Sequence, residues 1–137
     1  MRALLVLLLV AFAMPAAADP AGDRILGEWR GQSICTDRAH APNCHDEVTR
    51  YVFTPSSAGY HVVADKMTNG AFELMGEMDF VYAPADARWI YRLNSPACPQ
   101  CTWWFRIDGD ALVGGLTSQT GQELRRVSAT RDIHPRP

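Results

Sequence analysis

Between Phe72 and Tyr82 the chain alternates. Phe72, Leu74, Gly76, Met78, Phe80 and Tyr82 share one parity, and Glu73, Met75, Glu77 and Asp79 take the other. A period of two with acid on one side predicts a half-buried strand, or two strands joined by a bend at Gly76. Trp89, Tyr91 and Leu93 then alternate with Arg88, Ile90 and Arg92, and Trp103, Phe105 and Ile107 with Thr102, Trp104 and Arg106. Aromatic and β-branched residues also fill Val48 to Phe53 and Tyr60 to Val63, as suits a pleated surface. Turn signals separate these runs: Pro55 to Gly59, Asn69-Gly70, Pro84 to Asp86, Asp108 to Asp110 and Gln119 to Gly121. With Ile25 to Ile34 and Glu123 to Arg131 added, the chain reads as about eight strands with no helix. The prediction is an all-β, small up-and-down antiparallel barrel, because closure removes the exposed edges of a meander.

The first residues follow another logic. Arg2 precedes an apolar run from Ala3 to Phe12, and Ala16-Ala17-Ala18 stand before Asp19. This order predicts a secretory signal peptide over residues 1–18 and a single domain over 19–137. The run is about ten residues, too short to cross the roughly 30 Å bilayer core as a helix. Loss of Arg2 leaves 12 of the 13 basic residues against 15 acidic ones. A mildly acidic exported domain is a poor partner for nucleic acid or anionic lipid, since both require clustered positive charge. No membrane span is expected after cleavage.

All four cysteines, Cys35, Cys44, Cys98 and Cys101, fall after the cleavage point. Export to an oxidising compartment predicts disulfides. Of the three possible connectivities, Cys35 with Cys44 and Cys98 with Cys101 is preferred, each pair sitting in or beside one loop. Cys98-Pro99-Gln100-Cys101 also has the spacing of a redox dithiol, but such thiols are activated at a helix N-terminus, and this run leads into strand-like Thr102 to Phe105. His40 and His45 flank the first pair, yet the cysteine spacing does not suit a zinc knuckle. No metal or cofactor is expected.

Gly27-Glu28-Trp29 on the first strand, with Arg125, Arg126 and Arg131 on the last, resembles the calycin superfamily of small barrels, which includes lipocalins and avidins. The resemblance implies a lipocalin- or avidin-like barrel in which one of these arginines packs over Trp29 and closes one end. Size and hairpin turns are nearer to avidins, or to small bacterial barrel inhibitors of proteases, than to lipocalins.

Three functional readings follow. In the first, Phe72, Phe80, Trp89, Tyr91, Trp103 and Phe105 line a cup for a small apolar ligand; the competing account is that they simply fill the barrel. The second is a protein-binding role, such as inhibition of an exported hydrolase, for which Trp104 is an outward-facing candidate anchor. It could equally cover a neighbouring strand. The third is catalysis, which the sequence disfavours. Asp46 and Glu47 point to opposite faces in an extended chain, Asp108-Gly109-Asp110 reads as a turn, His61 alternates with Val63 and Asp65 toward solvent in a strand, and no serine lies in a nucleophile elbow. The expectation is an exported, non-catalytic binding protein.

Overall fold

The computed structural model describes residues 22–132. The expected signal peptide and the termini of the mature domain lie outside the described residues. One helical turn, α1 (Gly22–Ile25), leads into β1 (Gly27–Cys35), β2 (Glu47–Ser56), β3 (Gly59–Thr68) and β4 (Ala71–Ala83). After these come β5 (Arg88–Ser95), β6 (Cys98–Asp108), β7 (Ala111–Thr117) and β8 (Glu123–Arg131). The strands run in chain order around a closed antiparallel barrel, with β8 returning to pair with β1. This is the all-β up-and-down barrel that the alternation predicts. Its one departure is α1, too short to show a helical period. At the β3–β4 hairpin Asn69 and Gly70 take φ values of 51° and 83°, the left-handed angles a two-residue turn of this kind requires.

Inward-facing positions build the core. Trp29, Tyr51, Phe53, Val62, Phe80, Trp89, Phe105, Leu112, Val127 and Ala129 are all buried. Phe105 is the hub, with ring centroids 5.1 Å from Tyr51, 5.5 Å from Phe53 and 5.4 Å from Phe80. Its place depends on Gly114, where an added Cβ would stand 2.5 Å from the Phe105 ring.

The parity of β4 changes partway along. Gly76 pairs with Ala64 but Leu74 pairs with Asp65, so Met75 is an extra residue without a partner across the ladder. Such a bulge reverses the faces on either side of it. Met78 and Phe80 therefore point inward, while Phe72 lies on the outer surface, where the guanidinium groups of Arg50 and Arg30 stack on its ring at 4.6 and 5.3 Å. Arg50 also holds Asp65 at 2.7 Å. The unbroken alternation expected from Phe72 to Tyr82 is thus corrected by one inserted residue.

Two disulfides, Cys35–Cys44 and Cys98–Cys101, join cysteines whose Cα atoms lie 6.1 and 5.6 Å apart. Both sit at the end of the barrel where β1 finishes and β6 begins. The second pair lies within the first residues of β6 rather than ahead of it, with Gln100 at φ 56° turning the chain between the sulfurs. Disulfides of this kind persist in oxidising surroundings. No described helix is long and apolar enough to cross a membrane.

Candidate functional site

One end of the barrel is sealed. Ile25 of α1 is fully buried, and the Trp29 indole donates from Nε1 to the Ile25 carbonyl at 2.8 Å. Arg131 lies over the Trp29 ring, with its guanidinium carbon 4.3 Å from the centroid. Its Nη1 donates to the Leu26 carbonyl at 2.7 Å and its Nη2 to the Arg24 carbonyl. Of the three arginines implicated by resemblance, Arg131 alone stacks on Trp29. Arg126 points outward and pairs with Glu123 at 2.7 Å.

Arg125 lies at the opposite end. Its Nε donates to Ser33 Oγ at 2.8 Å, and its Nη2 to the Ser33 and His45 carbonyls at 3.2 and 2.9 Å and to Glu47 Oε2 at 3.1 Å. Nη1 rests 3.1 Å from Cys44 Sγ. One guanidinium therefore ties β1, β2, β8 and the disulfide loop together. The Arg125–Glu47 pair leaves no net charge at this spot.

Beneath that tie is a cavity of about 240 Å³, lined mainly by Tyr51, Met75, Met78, Trp103 and Phe105, with Ser33, Glu47 and Arg125 as its polar wall. Gly76 also faces it, and a Cβ there would meet nothing within 4 Å. The bulge places Met75 at this opening, so the feature that expels Phe72 also shapes the cup. Tyr51 Oη and Thr49 Oγ1 are buried without a hydrogen-bond partner. Burial pushes the Tyr51 phenol above its ordinary range, and nearby Thr49, Arg125 and Ser33 oppose that more weakly. A buried unsatisfied hydroxyl costs about 1–3 kcal/mol, which the close Thr49 and Ser33 hydroxyls offset only in part.

No family model and no curated protein sequence matches this chain.

The candidate lining residues separate into two groups. Trp103 and Phe105 face the cavity. Phe80, Trp89 and Tyr91 belong to the packed core instead: Phe80 and Trp89 are buried and Tyr91 packs against them, while Phe72 is outside. Part of the aromatic set thus lines the cavity and part fills the barrel, with Phe105 belonging to both. The sequence reading missed Tyr51, Met75, Met78, Ser33 and Glu47. Tyr51 carried a signal, because it shares parity with Thr49 and Phe53.

Trp104 lies outside, as its parity predicts. Arg88 stacks on it at 5.2 Å, and its Nε1 is buried 3.6 Å from the position a Gly115 Cβ would take. It covers a strand neighbour rather than standing free. The Asp46–Glu47 pair diverges: Asp46 accepts from the Cys35 amide and Arg38, both at 2.8 Å, while Glu47 faces Arg125. Among the described residues no group of three or more His, Cys, Asp or Glu side chains could hold a metal ion.

Proposed function

We propose that this chain is an exported, calycin-like barrel whose open end binds a small, uncharged, largely apolar molecule bearing one hydrogen-bonding group. The observation that carries the reading is the half-open cavity, with an unpartnered Tyr51 hydroxyl beside a charge-neutral Arg125–Glu47 pair. Sulfur, aromatic and aliphatic walls favour an apolar body. The neutral pair gives a carboxylate ligand little reason to enter, because Glu47 already holds the guanidinium and would repel a second anion. A hydroxyl or amide meets the demand left by Tyr51. About 240 Å³ falls below the roughly 300 Å³ at which drug-sized sites begin, so the occupant is small.

Export is supported by the leader-like sequence of residues 1–18 and by the two disulfides. Calycin kinship is supported by the Arg131 cap on Trp29. Inhibition of a hydrolase through Trp104 is the weaker reading, because that side chain is engaged by Arg88 and Gly115.

The test is titration of the mature protein with 2-naphthol, naphthalene and 2-naphthoate, followed by Trp fluorescence. 2-Naphthol should bind best, with a Kd on the order of 10 µM, and Tyr51→Phe should remove its advantage over naphthalene. Equal binding of all three probes, or preference for the carboxylate, contradicts the proposed ligand class.

A further inference from the structure

The ladder between β4 and β5 is short. It contains Val81–Ile90, Tyr82–Trp89 and Ala83–Arg88 and stops there, whereas β3 and β4 pair from Tyr60–Phe80 to Thr68–Ala71. Two irregularities lie further along these strands. Met75 is inserted in β4, and β5 shifts register on β6 between Leu93 and Ser95, leaving Asn94 without a partner there. Both fall in the open-end halves of their strands. Residues 71–80 of β4 thus have β3 on one side and no ladder on the other.

An unpaired strand edge is a template for another extended chain, and the side chains along this one select the guest. On its outer face Leu74 is 60% exposed, and Glu77 and Asp79 are exposed. His61 is the basic group facing those two carboxylates, at 3.4 and 2.9 Å. A second copy paired through β4 in antiparallel register would set carboxylate against carboxylate, which is destabilising. The chain's own β5 shows what would match: continuing the register of Val81–Ile90 sets Arg92 opposite Asp79, although Arg92 pairs only with Thr102 of β6.

We infer that residues 71–80 of β4 are a docking edge for an extended cationic segment of a partner protein, added to the sheet as a further strand beside β4. Lys or Arg at two successive same-face positions meets Glu77 and Asp79. The alternate positions carry apolar side chains toward Met78 and the cup. This inference does not depend on the small-molecule reading, because main-chain pairing and surface charge supply the recognition.

The probe is a seven-residue peptide with Lys at alternate positions and Val or Thr between, studied with the mature protein by amide hydrogen exchange and by titration. Its counterparts carry Glu in place of Lys, or N-methyl groups along one edge that block ladder formation. The Lys peptide should bind and slow exchange within residues 71–80, while the Glu and N-methyl peptides should not. Glu77→Gln with Asp79→Asn should weaken binding about fivefold to tenfold. Tyr51→Phe, which removes the cup's hydroxyl from β2 and lies off this edge, should leave peptide binding intact, so the two proposals can fail separately. Equal binding of the N-methyl peptide, unchanged affinity in the Gln/Asn variant, or no protection of β4 would overturn the inference. So would protection of β4 by self-association without peptide.

Discussion

Arg125 and Arg131 stand on the same strand, share its inward parity with Val127 and Ala129, and terminate opposite ends of the barrel. At the sealed end, Arg131 lays its face on an indole and directs its donors to carbonyls of the entering chain. The stacked ring and the carbonyls of the entering chain are satisfied together there. At the open end, Arg125 directs its donors to strand termini, a carboxylate and a disulfide loop, and lays its face on no ring. Its tie holds the rim without filling the interior, and a cavity with the unpartnered Tyr51 hydroxyl on its wall remains below it. The same residue type on the same strand closes one end and frames the other. What differs is whether the guanidinium stacks on an aromatic face.

The strongest way to break this comparison is to remove the aromatic. Trp29→Ala should destabilise the protein by about 3–5 kcal/mol, the usual cost of deleting a large buried ring, and Arg131 should lose its stacking partner at once. Denaturant unfolding of the mature protein measures this. A loss under about 1 kcal/mol would mean that the sealed end is no more tightly held than the open one.

The open end should answer differently to added bulk. Gly76→Leu introduces a side chain where a Cβ meets nothing within 4 Å, at a backbone angle open to any residue, and it raises strand propensity. Stability should stay within about 1 kcal/mol of the parent while 2-naphthol binding is lost. Marked destabilisation would show that this end is packed like the other.

Much of this architecture was legible in the primary structure because barrels obey a period of two. The strands, the Asn69-Gly70 hairpin and the outward position of Trp104 all follow from alternation and turn chemistry. Parity also distinguishes Arg126 from Arg125 and Arg131, but only position along the barrel tells the last two apart. The bulge at Met75 was not legible. An inserted residue leaves no compositional mark, so Phe72 reads as inward until the pairing of Leu74 with Asp65 is known. Nor does alternation report depth. It shows that Phe80 and Trp103 both face inside, not that one lies in packed core and the other in a cavity wall.

The smallest effect concerns the outer face of β3 and β4. Asp79, by hydrogen bond, holds the His61 imidazole above its ordinary value of 6.5; desolvation opposes this, and the charges of Asp79 and Glu77 add to the rise. A basic group with a raised folded-state value contributes stability fully below its unfolded value and loses it as pH rises through the folded value. The contribution should therefore be present below 6.5 and fade above it. His61→Gln should lower the unfolding midpoint most at about pH 5.5 and least at about pH 8.5. Because the ring is exposed and solvent-screened, the difference should be small beside either cavity variant. A midpoint difference that grows toward alkaline pH would reverse the sign of the pairing and remove the acidic face of β4 as the imidazole's support.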